Sequence, residues 1–296
     1  DPLGGPRPDP AGQTGRVFIE CVVNLSEGRD LLVLNDLAAT CAPVLLDRHT
    51  DPDHHRSVFT LAGPSEAVIP ALCDLARATR AHLDLSDHQG VHPRLGVLDV
   101  VPFVPYEPGQ LPPHDLSGVV PLRDAFARWL GDELGIPSFL YGPLANGRSR
   151  TLPQVRKGAF AELAPDAGPG QPHPSAGATA VGARSALVAY NVWVDSVEVA
   201  RQVAPLVRRA EVRTLALDLG FRAQVSCNLI DPAAVGPAQV YDSVARAVDA
   251  AGGTVLGAEL VGLLPEAVLA RIPPGRWAEL DLSEAATVEA GLARMT

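Results

Sequence analysis

The chain has 296 residues, 47% of them hydrophobic, which is enough apolar material for two subdomains with separate cores. Lys and Arg number 24 against 34 Asp and Glu, a net charge of −10 that argues against a general binder of nucleic acid or of an anionic membrane. The cysteines Cys21, Cys41, Cys73 and Cys227 form no CxxC pair and read as buried reduced thiols, and no apolar run reaches membrane-spanning length.

The opening DPLGGPRPDPAGQTG lacks the charged-then-apolar pattern of a secretory signal, so the cytoplasm is the expected compartment and residues 1–15 are expected to form a disordered tail. Arg16–Asn24 is rich in β-branched residues and reads as a strand, followed by NLSEGR, where Asn24 and Ser26 are placed either to cap a helix over Asp30–Cys41 or to touch a substrate. Pro43–Asp47 and Ser57–Ala62 read as strands. The segment RHTDPDHHR between them, with His49, His54, His55 and Arg56, is too long and polar for a minimal hairpin. A helix from Pro64 to about His82 and a strand over Val97–Val104 complete a βαββαβ order.

Pro121–Gly135 predicts an amphipathic helix, Ser138–Tyr141 a short strand and Gln154–Leu163 another helix, as an extension of the first half. Pro165–Gly177, PDAGPGQPHPSAG, has too many prolines and glycines for a regular element and reads as a long exposed loop, either an inert linker or a ligand-contacting segment. A second βαββαβ order follows: a strand at Ala186–Val194, a helix at Ser196–Arg209, strands at Val212–Leu219 and Ala223–Ile230, a helix at Ala238–Ala251 and a strand at Thr254–Leu260. Helices near Glu266–Arg271 and after Ser283 close the chain. The fold class is therefore α+β, two ferredoxin-like βαββαβ subdomains, with the cleft between them as the default site.

The densest chemistry lies in Leu85–Pro105, LSDHQGVHPRLGVLDVVPFVP. His92 precedes Pro93, which pushes it to extended geometry, and Gly90 and Gly96 supply backbone freedom beside it. An imidazole in a loop abutting a strand is a natural acid/base candidate; the competing reading is a solvated histidine in a surface turn. His88 and His92 are four apart, a zinc-binding spacing on a helix, but Gly90 interrupts any helix between them, so no metal is expected. Arg94, Arg56 and Arg184 could hold carboxylates in two-point fashion, against a reading of plain surface solvation.

The stretches ECVVNLSEGRD, HHRSVFTLAGP, SDHQGVHPRLGVLDVVPFVP, FLYG, SRTLPQVRKG, PDAGPGQPHPSAGATAVGAR, AQVSCNLID and LGAELVGLLP resemble, in order and spacing, the formiminotransferase domain of glutamate formiminotransferases, from about Ile19 to Pro265. The resemblance implies transfer of the formimino group of N-formimino-glutamate to N5 of tetrahydrofolate in histidine breakdown, with tetrahydrofolate as co-substrate and no metal. It implies that His92 is the acid/base residue, with Gly168, Pro169, Gly170, Gln171, Pro172, His173, Pro174, Ser175, Ala176 and Gly177 as the folate-contacting loop. Arg94, Arg56, Arg184, Asn24, Ser26 and His49 are the candidate substrate-binding residues. It further implies an N-terminal subdomain over 16–182, a C-terminal one over 183–296 and a homodimer, with small molecules as partners and neither nucleic acid nor membrane.

The chain departs from that pattern at four positions. Val91 and His49 stand where the family usually has acidic residues, Ala176 where it tends to have Trp, and His55 where it tends to have Asn. Losing two carboxylates should leave His92 less basic and less well held, with Asp87 or Asp99 as possible replacement orienters. A folate-like ligand-binding protein of the same fold with weakened catalysis is therefore the alternative, and a metal-dependent hydrolase a weaker third.

Overall fold

In the computed structural model, residues 17–86, 88–90, 94–112 and 115–295 are described. The predicted tail (residues 1–15) and residues Asp87, Val91, His92 and Pro93 of the HPR segment lie outside them.

Among the described residues the strands form two sheets. The first has the order β2-β3-β1-β4-β7-β5-β6, with β1 Phe18–Leu25, β2 Leu45–Asp51, β3 Arg56–Pro64, β4 Leu98–Pro105, β5 Ser138–Pro143, β6 Ser149–Arg150 and β7 Thr179–Ala183. The second has the order β11-β8-β10-β9, with β8 Val188–Val194, β9 Val212–Asp218, β10 Ala223–Leu229 and β11 Val255–Val261. The first four strands and the last four each have the antiparallel ferredoxin-like arrangement that the two βαββαβ patterns predict.

Helices cover one face of each sheet. Apolar residues at alternate strand positions, Cys21, Val23, Phe59, Leu61, Val101 and Phe103, pack against α1 Leu31–Thr40, α2 Ser65–His82 and α3 Val120–Leu134. In the second half Tyr190, Val192, Val225 and Cys227 pack against α5 Val197–Val207 and α6 Pro237–Ala250. The opposite face of the first sheet is covered beside β7 by α4 Leu152–Gly158, through Val100, Phe139, Tyr141, Val155 and Ala180. Beside β2 and β3 it is covered by α8 Val288–Ala293, through Leu46, Ala62 and Val288; the short helix α7, Glu266–Leu269, precedes α8.

Four elements differ from the sequence expectation. RHTDPDHHR is a hairpin after all: β2 continues to Asp51, pairs with β3, and leaves only Pro52–His55 as the turn. His55 adopts φ 49°, a left-handed conformation that closes the turn. Polar residues are tolerated there because β2 is an edge strand and its alternate side chains face the second subdomain. The helix predicted to reach Leu163 stops at Gly158, where a Cβ would press on Leu163, and Phe160 turns left-handed at φ 59°. The helix at Asp30 is capped by Asp30 itself, whose carboxylate accepts from Leu32 N and Val33 N. Finally, β7 was not anticipated. Its five buried residues, TAVGA, run parallel between β4 and β5, too short and too small-sided to signal a strand.

Candidate functional site

With Asp30 as the cap, Asn24 and Ser26 are released for other contacts. Ser26 Oγ donates to the Gly96 carbonyl at 2.8 Å and Ser26 N to the Val97 carbonyl at 2.8 Å, so the NLSEGR turn is fastened to the segment that follows HPR. Asn24 Oδ1 accepts from the guanidinium of Arg56. Glu27 Oε1 accepts from the backbone N–H groups of Gly28, Arg29 and Asp30 at 2.8, 2.6 and 2.9 Å, which holds the turn in a tight curl.

Histidines from two segments meet beside this turn. The rings of His55 and His88 stack, with centroids 4.1 Å apart and planes 29° from parallel. His55 Nδ1 accepts from Gly28 N at 3.1 Å. Arg94 Nη1 lies against both ring nitrogens of His88, and His88 Nε2 is 3.1 Å from the His55 carbonyl. Burial, reinforced by Arg94 and His55, lowers the His88 pKa; burial also lowers that of His55, against the opposing charge of Glu27. Both shifts favour the neutral form of the rings. His54 Nδ1 stands 2.9 Å from Asp51 Oδ2, and Arg94 Nη2 donates to the His54 carbonyl at 3.4 Å.

The loop over 168–177 is joined to the same region by its second half. Leu85 N donates to the Ser175 carbonyl at 2.7 Å, Val97 N to Ala176 O at 3.0 Å and Ala178 N to Leu95 O at 3.0 Å. His173 and Gly177 exchange both backbone hydrogen bonds at 2.9 Å, which closes a small turn. Gly96 and Gly177 permit this approach: a Cβ on Gly96 would run into Ala178 and Ala176, and one on Gly177, at φ +68°, into Leu95. The Ala176 side chain is buried in the helix-side core. The first half of the loop follows α3, where Gly168 lies against Gly131.

The structure thus brings Asn24, Ser26, Arg56, Arg94 and residues 173–177 to one end of the first sheet. His49 stands further along β2, paired with Val58 and reaching Glu259 of β11. Arg184 is not part of the cluster. Its N–H donates to Phe103 O at 3.2 Å, near the far end of β4, and its guanidinium donates to Ser185 O at 2.8 Å. His92, proposed as the acid/base residue, lies outside the described residues.

Three groups were missed or only half seen in the sequence. Asp99 does not orient a histidine among the described residues; it accepts from Leu95 N at 2.7 Å and pairs with Arg156 of α4 at 2.6 Å. Arg156 sits in SRTLPQVRKG beside Lys157, and its charge alone was visible there. Glu259 was equally visible as the lone charge in the strand LGAELVG. Among the described residues no three His, Cys, Asp or Glu side chains gather as a metal site, and no helix is long and apolar enough to cross a membrane. A shallow concavity beside β6 and α4, lined in part by Arg148, Arg150, Lys157 and Glu162, contains none of the predicted site residues.

Two ferredoxin-like halves, with a histidine- and arginine-rich loop cluster at the edge of the first, define a class of α+β enzyme whose chemistry is carried on loops. The family described as "Formiminotransferase domain, N-terminal subdomain" matches residues 18–184. The chain belongs to the formiminotransferase family and is a formiminotransferase-like enzyme. It is 34% identical over 277 residues to the glutamate formimidoyltransferase of Streptococcus pyogenes serotype M1, covering 85% of this chain and 90% of that protein. It is 32% identical over 277 residues to the glutamate formimidoyltransferase of Thermoplasma acidophilum, covering 85% and 89%. The formimidoyltransferase-cyclodeaminase of Sus scrofa is 35% identical over 276 residues, or 84% of this chain but only 50% of that longer protein.

Proposed function

We propose that the protein transfers the formimino group of N-formimino-glutamate to N5 of tetrahydrofolate, as a step of histidine degradation. The observation that carries this reading is the backbone seam between residues 173–177 and residues 85 and 95–97, which joins the implied folate loop to the segment bearing the implied acid/base residue, His92. Two substrates must meet for a group to pass between them, and a rigid seam between their binding segments meets that need.

In this reading N5 attacks the amidine carbon, which becomes tetrahedral, and His92 takes the N5 proton. Collapse then breaks the bond to the glutamate nitrogen. Arg94 is the leading carboxylate binder, since it reaches the site's backbone carbonyls from the loop itself, and Arg56 is a second cation beside Asn24. Arg184 is assigned only to the far end of the same face. Tetrahydrofolate enters as co-substrate and no step calls for a metal. The two halves, over 16–182 and 183–296, act as one unit in a cytoplasmic homodimer.

A second reading, a folate-like ligand-binding protein with weakened catalysis, draws support from Val91 and His49, which replace the acidic residues implied at those positions. Two measurements on the same sample distinguish them: formimino transfer from formiminoglutamate to tetrahydrofolate, and titration with a reduced folate alone. Transfer supports the first reading, and saturable binding without transfer supports the second. Neither transfer nor binding at millimolar folate would sink both.

A further inference from the structure

His49 is in register with Val58 and, through it, with Asn24, so it shares the face that carries the Asn24–Arg56 contact. Two strand spacings put it roughly 10 Å from Asn24. Across from it, His49 Nε2 lies 3.4 Å from Glu259 Oε1 on β11 of the second sheet. The other carboxylate oxygen accepts from Asn191 Nδ2 at 3.0 Å and Gln224 Nε2 at 3.1 Å. Two side chains of its own sheet therefore fix Glu259 before it meets the imidazole. No described residue is bonded to His49 Nδ1, and the side chain keeps 25% of its surface open.

We propose that Glu259 is a positioning residue that holds His49 from across the subdomain boundary, and that His49 Nδ1 gives the proton to the amine nitrogen released from the formimino carbon. The inference rests on the formimino-transfer reading above and deepens it by assigning the proton donor for the leaving group. The bond between the formimino carbon and the glutamate nitrogen breaks, its electron pair stays on nitrogen, and the Nδ1 proton joins that nitrogen. The bond from the same carbon to N5 is retained. His49 is left neutral and regains its proton from solvent along its exposed edge. The proton taken by His92 comes from N5, so the two histidines serve opposite ends of the same carbon.

A neutral amine is a far better leaving group than an amide anion, so departure requires a donor. A carboxylate on one ring nitrogen fixes the orientation of the imidazole and favours its charged form, leaving the second nitrogen to donate. The groups around His49 agree. The hydrogen bond to Glu259 raises its pKa, burial opposes this, and the charges of Glu259, Asp47 and Asp51 add to the rise. Burial alone would lift the Glu259 carboxyl, but the hydrogen bonds from His49 and Asn191 outweigh it and leave the carboxyl below its usual range. From α8, Arg294 acts on Asp47, and the β3 neighbour Val58 is uncharged. The acidic residue implied at position 49 is thus exchanged for an imidazole whose carboxylate partner is supplied by the other half.

The experiment pairs an NMR titration of the His49 ring with the pH profile of kcat/KM for formimino transfer, in the wild-type protein and in Glu259→Gln, Glu259→Asp and His49→Gln. Rate should fall as pH rises through the midpoint of the His49 ring. Glu259→Gln should move the ring midpoint and that limb of the profile together to lower pH, and Glu259→Asp should restore both in part. His49→Gln should abolish the limb and lower kcat about 100-fold or more with KM little changed, at unaltered circular dichroism. A ring midpoint indifferent to Glu259→Gln overturns the positioning role. A midpoint that moves while the rate limb stays put overturns the donor role. If the wild-type protein performs no transfer although its His49 midpoint responds to Glu259→Gln, the transfer reading fails and takes the donor role with it, leaving only the ion pair.

Discussion

Arg156 grips Asp99 at two points, Nη2 to Oδ2 at 2.6 Å and Nη1 to Oδ1 at 3.3 Å, and the carboxylate they share is 2% exposed. The same Oδ1 accepts from Leu95 N at 2.7 Å, so one buried carboxylate fixes the start of β4, the segment that follows HPR and the helix above them. Removing one partner of a buried pair costs about 3–5 kcal/mol, and the 17% exposure of the Arg156 side chain places this pair toward the lower end. Asp99→Ala should therefore lower Tm sharply in calorimetry and reduce transfer together with stability. A variant as stable as the wild type would show that water replaces the pair.

His92→Ala should behave in the opposite way. Loss of a proton-transfer group costs roughly 100- to 10,000-fold in rate. We expect transfer to collapse while the thermal unfolding curve is unchanged, and wild-type turnover in this variant would remove His92 from the chemistry.

At the seam, Gly177→Ala places a methyl group against Leu95 in a backbone conformation, φ +68°, that alanine resists. The strain is about 1–3 kcal/mol. The variant should expose residues 168–177 to limited proteolysis and weaken binding of a reduced folate. Gly275→Ala, outside this loop and with nothing described within 4 Å of the added carbon, is the control and should do neither.

Glu20 makes stability depend on pH. It is 5% exposed, and burial raises its carboxyl to about 7, with Arg184 opposing the rise and Glu289 adding to it. The folded state therefore binds the proton more tightly than the unfolded chain does. The associated stability is fully present below the unfolded value of 4.5 and is lost as pH rises through about 7. Glu20→Gln, which cannot ionise, should gain about 3 kcal/mol on the wild type at pH 8 and nothing at pH 4, read from denaturant midpoints.

Runs rich in β-branched and apolar residues made both βαββαβ halves legible, because the strands are buried under helices on one or both faces. β7 escaped because it is buried on both faces and contributes mostly small side chains: Gly182 gives its place to the ring of Tyr141. At the site, residue type pointed to the right segments but not to the partners. Asn24 has the chemistry of a cap, yet Asp30 is the nearer cap and Arg56 is what Asn24 meets. Local sequence cannot report a contact such as His49 with Glu259, made across two sheets by residues more than two hundred positions apart.

The placement of β7 also bears on synthesis. A ribosome delivers β1 to β4 early, and these four strands can pair among themselves as soon as Pro105 has emerged. The outer edge of β4, however, has no partner until Thr179–Ala183 arrives, and β5 and β6 have no edge to join before then. Throughout that interval the nascent chain carries an open, mostly apolar strand edge, the feature most prone to pairing with another chain. Chains truncated between Pro143 and Thr179 should therefore aggregate, whereas those that extend past Ala183 can close the sheet.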